Sequence, residues 1–171
     1  MILIESSRKR ALYHVIINIY GYMRMNNTSN KLAYFLTYAG ALPFVFCAIS
    51  LMIGISQFPY LGSVITILSV YSLMIASFMS GIHWGQSLDL KIKWYNHLRV
   101  LSNVNALLIF FSFIFLKQSN FWMVTIIVFA FIIFIDCHIY KQTIITKPYF
   151  QMRIIVSCIV IFCLGIAVYA A

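Results

Sequence analysis

The chain has 171 residues, 63% of them hydrophobic and 9% charged, and its twelve Lys+Arg against three Asp+Glu give a formal net charge of +9. A soluble domain carries about 25% charged and about 45–50% apolar residues, so this chain cannot cover a water-facing surface. A soluble enzyme, a secreted disulfide scaffold and a disordered tail are excluded, and the cations read as bilayer-edge residues rather than as a nucleic-acid footprint.

Residues 1–30 form a basic segment of their own. Arg8-Lys9-Arg10 precedes Ala11 to Met25, where Leu12, Val15, Ile16, Ile19 and Met23 recur at helical spacing. That pattern predicts an amphipathic helix lying on an anionic inner leaflet. A mitochondrial presequence is the alternative, because the segment bears arginine and few acids. A secretory signal would need a cleaner apolar core and a small-residue cleavage site. The run Asn26 to Asn30 reads as a flexible joint.

Residues 31–171 form an all-α membrane domain. A helix needs about 20 apolar residues to cross the roughly 30 Å hydrocarbon core, and five stretches meet that length. They run from about Leu32 to Ser56, Leu61 to His83, Leu98 to Leu116, Phe121 to Tyr140, and Met152 to Ala171. Gln57-Phe58-Pro59 and Lys117-Gln118-Ser119-Asn120 are short breaks, and Gln86 to His97 and Lys141 to Gln151 are longer polar ones. Pro and Asn discourage helix continuation. There is no apolar–polar alternation of the kind a β-barrel requires.

The cations then sort by loop. Arg8, Lys9, Arg10, Arg24 and Lys31 precede the first span; Lys91, Lys93 and Arg99 lie between the second and third; Lys141, Lys147 and Arg153 lie between the fourth and fifth. Only Lys117 falls on the other side. Positive residues are retained on the cytoplasmic side, which predicts five spans with the N-terminus inside and the C-terminus outside.

Within the first span, Gly40 and Pro43 form part of a packing motif. Pro43 lacks the N–H that would bond to Ala39, which predicts a kink. Along one face of the second span stand Ser69, Ser72, Ala76, Ser80, His83 and Ser87, at steps of three or four. Small residues of this kind let another helix approach closely. Gly81 and Gly85 flank the His83–Trp84 pair and suit a close backbone approach or a helix end, with Trp84 in the aromatic belt. The third span places Arg99, Ser102, Asn105, Ile109 and Ser112 on one face.

Asp136 is the one acidic residue within a span. An ionised carboxylate inside a bilayer is costly and is paired or watered. Arg153 begins the fifth span at the same level, so an Asp136–Arg153 ion pair is expected; Tyr140, four residues on, could also reach Asp136. The inner ends of the second to fifth spans therefore offer a candidate polar cluster of His83, Trp84, Gln86, Arg99, Asn103 or Asn105, Asp136 and Arg153. It reads either as a structural clip or as a proton or ion relay.

Other chemistries find no pattern. His14, His83, His97 and His138 lack zinc-ligand spacing. Cys47, Cys137, Cys158 and Cys163 lie in apolar runs without C-x-x-C spacing and read as small hydrophobes. There is no phosphate-binding glycine loop, no catalytic triad and no inverted repeat. No catalytic residue, metal or cofactor is expected, and the chain does not read as an enzyme.

Several stretches together resemble a known family. They are Tyr38-Ala39-Gly40-Ala41-Leu42-Pro43-Phe44, then Tyr71 with Ser77-Phe78-Met79-Ser80-Gly81-Ile82-His83-Trp84-Gly85, then Ile135-Asp136, and finally Lys147-Pro148-Tyr149-Phe150-Gln151-Met152-Arg153. The sequence resembles domain-of-unknown-function family 3429, which includes transmembrane protein 69, over about Lys31 to Ala171. In that family the aspartate tends to be followed by arginine. Here Cys137 and His138 follow, which leaves Arg153 as the counter-charge. The resemblance implies a small multi-span protein of bacterial inner membranes, with eukaryotic relatives in mitochondria, and implies no activity.

Two functional readings follow. The first is a structural, assembly or interaction component that binds anionic lipid, other membrane subunits or further copies of itself, with no nucleic acid. The second is a small proton-, ion- or solute-translocating protein using His83 and Asp136.

Overall fold

The computed structural model describes residues 31–88, 95–142 and 145–170. The surface helix expected over residues 1–30 lies outside them. The chain divides into two compact units, Met1–Ala39 and Gly40–Ala171. In the first, residues 31–39 are helical, and Thr37 Oγ1 donates to the Ala33 carbonyl at 2.7 Å.

The second unit begins with a turn at Gly40 and Ala41, after which α1 runs Leu42–Met52 with Pro43 in its first turn. The helical run from Lys31 to Met52 is interrupted by this turn, and Pro43 falls in the first turn after it, where a missing N–H has no intrahelical partner to lose. At the far end of α1, Gly54 takes φ +80°, its N–H donates to the Leu51 carbonyl at 3.1 Å, and the Ile55 N–H donates to Ser50 at 2.9 Å. This paired closure satisfies carbonyls that a helix end would leave bare, and glycine adopts the left-handed conformation without penalty.

Gln57-Phe58-Pro59 then proves to be more than a turn. Strand β1 (Gln57–Phe58) pairs antiparallel with β2 (Gly62–Ser63), Gln57 opposite Ser63 and Phe58 opposite Gly62. Two residues per strand are too few to leave an alternation in the sequence. Four long helices follow: α2 (Val64–Gln86), α3 (Tyr95–Phe115), α4 (Gln118–Lys141) and α5 (Lys147–Ala170).

Among the described residues, five helical stretches are long and apolar enough to cross a membrane: Lys31–Met52, Val64–Gln86, Asn96–Phe115, Gln118–Lys141 and Lys147–Ala170. Their limits differ from the hydropathy limits by a few residues. The hairpin delays α2 to Val64, and polar turns such as Gln118-Ser119-Asn120 join the helices they precede. Hydropathy marks the hydrocarbon core, whereas a helix continues through the interface, where polar side chains reach water.

In the second unit α2 packs on α3 and α4, α4 on α5, and α5 on α1. Ion pairs and hydrogen bonds described below place the C-terminal ends of α2 and α4 beside the N-terminal ends of α3 and α5. Phe44, Leu68, Ile109, Trp122, Phe129 and Leu164 fill the main core, while Leu98, Ile135 and Ile139 form a smaller cluster toward those gathered ends. Large side chains such as Phe78, Phe134 and Phe162 point outward, as a surface solvated by hydrocarbon permits.

The α2 face of Ser69, Ser72, Ala76, Ser80, His83 and Ser87 is wholly buried, and so are Ser102, Asn105, Ile109 and Ser112 on α3. Most of these hydroxyls satisfy themselves locally. Ser69 donates to Ile65, Ser72 to Leu68, Ser80 to Ala76 and Thr125 to Phe121, at 2.6–3.0 Å. Bonding to the i−4 carbonyl removes the cost of burying a hydroxyl where no water is at hand. All four cysteines are free thiols; Cys47 and Cys163 are buried, and Cys158 faces outward rather than into a helix seam.

Candidate functional site: a buried His–Asp–Arg cluster

The last turn of α2, the last turns of α4 and the second turn of α5 carry His83, Asp136 and Arg153 to one point. Arg153 Nε donates to Asp136 Oδ2 at 2.7 Å, and His83 Nε2 lies 2.9 Å from Asp136 Oδ1. The three side chains are 0%, 1% and 2% exposed for His83, Asp136 and Arg153. Each carboxylate oxygen thus has its own nitrogen donor.

The tautomer of His83 follows from its neighbours. A carboxylate already accepting from a guanidinium offers lone pairs to the ring, so the proton between Nε2 and Oδ1 belongs to Nε2. Arg153 Nη2 lies 3.4 Å from the same Nε2. Both groups are donors, so this is a close approach around a shared carboxylate rather than a hydrogen bond. Arg153 Nη1 faces the Tyr149 hydroxyl at 3.4 Å and the Met79 sulfur at 3.7 Å, with the guanidinium 5.7 Å from the Tyr149 ring centroid. Tyr149 precedes Arg153 by four residues, and Met79 precedes His83 by four, so each helix brings its own second contact along the same face.

Helix α3 closes the side. Arg99 Nε donates to Ser87 Oγ at 3.2 Å and Nη2 to the Ser87 carbonyl at 3.3 Å, while Ser102 Oγ donates to the Ser80 carbonyl. These gathered ends of four helices are therefore tied by polar groups: α2 to α4 and α5 through Asp136, and α2 to α3 through Ser87 and Ser80.

The family model described as a protein of unknown function, DUF3429, matches residues 29–169. The chain belongs to the DUF3429 family. No curated protein and no solved structure matches it. The DUF3429 match takes in all three members of the buried cluster.

In this DUF3429 protein the remaining sequence candidates divide. Gln86 is half-buried and its Oε1 is sealed without a hydrogen-bond partner; Asn105 is buried with Nδ2 in the same condition. Asn105 lies one turn beyond Ser102, away from the carboxylate, and Asn103 is exposed, donating to the Arg99 carbonyl at 3.3 Å. Trp84 is 42% exposed and stands outside the cluster, because the residue after a buried one on a helix points about 100° away. Tyr140 does not turn to Asp136 but stacks on Phe150, centroids 4.4 Å apart.

Of the two expectations for Gly81 and Gly85, the helix end holds for Gly85, one residue before Gln86, and the close approach does not. Gly81 and Gly85 are exposed, and a Cβ at either would meet nothing within 4 Å. They sit on the outward face of α2, one residue off the buried stripe, and no neighbouring helix among the described residues lies against them. Ser80 is buried as expected, and the Gly40 carbonyl accepts the Tyr71 hydroxyl at 2.8 Å. That bond had no sequence signal, nor did the one from Trp122 Nε1 to Ser69 Oγ at 3.0 Å, which joins α4 to α2.

Two hollows lie toward the other end. One of about 130 Å³ is lined by Ser69, Phe113, Leu116, Gln118 and Phe121. The other, about 690 Å³ and apolar, runs between α1 and α5 along Leu51, Met52, Phe162, Gly165, Ile166 and Tyr169. Neither borders Asp136. Among the described residues no group of three or more His, Cys, Asp or Glu is placed to hold a metal ion.

Proposed function

We propose that this DUF3429 protein is a structural or assembly component of a bacterial cytoplasmic membrane, spanning it five times with the N-terminus inside and the C-terminus outside. It binds lipid, other membrane subunits or further copies of itself, and catalyses no reaction. The mitochondrial inner membrane is the alternative setting.

One observation carries this reading. The Asp136 carboxylate is closed on both oxygens by His83 and Arg153, at 0–2% exposure. A charge held in that way is a clip between helices, since removing Asp136 or Arg153 leaves the other as an uncompensated buried ion. Among the described residues of the second unit, exposed Lys141 and Lys147 stand at the same end as the clip, and Lys117 at the other. That distribution supports the orientation and suits contact with anionic headgroups, each cation contributing about 1 kcal/mol near such a surface.

The experiment is purification of the full chain in mild detergent with identification of co-purifying lipids and proteins. The reading expects anionic lipid or a membrane subunit in stoichiometric amount; a bare monomer in neutral lipid would contradict it.

Translocation is the second reading, and one observation favours it. His83 Nδ1 and Asn105 Nδ2 are buried polar atoms without hydrogen-bond partners in the protein, as the lining of a transient polar path would be. Uptake of protons or ions by vesicles containing the purified chain separates it from the first.

A further inference from the structure

The first span is not one uninterrupted hydrogen-bond ladder. Residues 31–39 are helical, Gly40 and Ala41 form a turn, and α1 follows with Ala41 as its N-cap. The Val45 N–H donates to the Ala41 carbonyl at 3.2 Å, so the Gly40 carbonyl lies one residue ahead of the α1 ladder. The carbonyl before it, on Ala39, would take the N–H of residue 43, which is proline and has none. In hydrocarbon a bare carbonyl is costly, and irregular backbone persists only where the protein supplies a partner. Tyr71 of α2 supplies it. Its hydroxyl donates to the Gly40 carbonyl at 2.8 Å, and its ring lies against Phe44, centroids 5.0 Å apart.

The two sides of the turn are anchored differently. After it, Phe44, Cys47, Ala48 and Ser50 are buried, and α1 packs on α2 and α5. Before it, none of residues 31–39 is fully buried. The division of the chain into two compact units falls at the same place, between Ala39 and Gly40. A glycine in the turn absorbs changes of φ and ψ that a side chain would resist.

We propose that Gly40 and Ala41 are a hinge at which the first span bends, and that the Tyr71 hydroxyl is the latch that holds one bend. With the latch closed, the carbonyl that α1 cannot use fixes the direction in which the chain enters α1. With it open, the backbone at Gly40 is free to turn while α1, held by its buried face, stays in place. Pro43 keeps the hinge from healing into a continuous helix, because it has no N–H to donate to Ala39. Tyr71 is thus a positioning residue. The latch shares no side chain with the Asp136 cluster, so either can fail without the other.

The test is hydrogen–deuterium exchange of the full chain in lipid nanodiscs, read over residues 40–45 and, for comparison, over α1 beyond Cys47 and over α4. Tyr71→Phe keeps the ring on Phe44 and removes only the hydroxyl. Exchange over residues 40–45 should rise about 2- to 10-fold, as expected for the loss of one net hydrogen bond, with the comparison segments at the parental level. Pro43→Ala restores a donor for Ala39, so adding it to Tyr71→Phe should bring exchange over the same residues back to the parental rate or below. A merely structural role for Tyr71 would loosen α1 and α2 along their length, and the added Pro43→Ala would not reverse that. No rise in Tyr71→Phe, a rise spread over all helices, or no rescue by Pro43→Ala overturns the proposal.

Discussion

Arg153 reaches Asp136 by its Nε, at 2.7 Å, and not by the two-pronged edge of the guanidinium. That single bond joins α5 to α4, and it leaves the second carboxylate oxygen to His83 of α2. Three helices meet on one side chain.

The energetic consequence is strongly non-additive. Asp136→Leu or Arg153→Met alone strands a buried charge and is expected to cost about 3–5 kcal/mol. The pair Asp136→Leu with Arg153→Met removes both charges, and its cost should fall well below the sum of the singles. Reversible unfolding in mixed detergent, followed by circular dichroism, measures the cycle. Additive costs would show that the two residues do not act as one unit.

The Trp122–Ser69 bond makes a sharper comparison between serines on one face. Ser69→Ala leaves a buried indole N–H without its acceptor and should cost about 1–3 kcal/mol. Ser72 bonds only the Leu68 carbonyl of its own helix, so Ser72→Ala should stay within about 0.5 kcal/mol of the parent. Unfolding midpoints of the two variants, read against tryptophan fluorescence, decide it. Equal effects would contradict the assigned role of Ser69.

Gly81 and Gly85 have open space where a side chain would go. Gly81→Ala and Gly85→Ala should therefore be neutral or stabilising by up to about 1 kcal/mol, from helix propensity alone. Ala76, buried in the core, behaves oppositely: Ala76→Leu overpacks the bundle and should cost about 1–3 kcal/mol. Thermal scans of the three variants in one lipid distinguish these cases. A destabilised Gly81→Ala would instead point to a partner seated on that face.

How much of this was legible in the sequence depends on which physical signal each feature leaves. The five apolar helices were legible because a bilayer imposes their length. The buried stripe from Ser69 to Ser87 was legible because helical spacing places small residues on one side. Asp136 and Arg153 could be paired on paper because both fall at the same depth and lie one short loop apart. The outward turn of Gly81 and Gly85 was not, since hydropathy is the same on faces that meet lipid and faces that meet helix. The β1–β2 hairpin was too short to leave a period, and Trp122–Ser69 joins residues 53 apart, beyond any local pattern.

The proposed orientation makes its own prediction. A reporter fused after Lys141 should be active only in the cytoplasm, and one fused after Ala170 only on the outer side. The basis is the excess of Lys and Arg at the Lys141–Lys147 end over the lone Lys117 at the other. Reversed activities would contradict the N-in, C-out arrangement.

The central claim is that the His83–Asp136–Arg153 cluster holds helices together and carries nothing across. Its most direct test is proton and ion flux into sealed vesicles containing the purified full chain, beside vesicles without protein. The account predicts equal leak in both, unchanged by Asp136→Asn. Flux above the protein-free level that Asp136→Asn abolishes, in a variant that still folds, would contradict it.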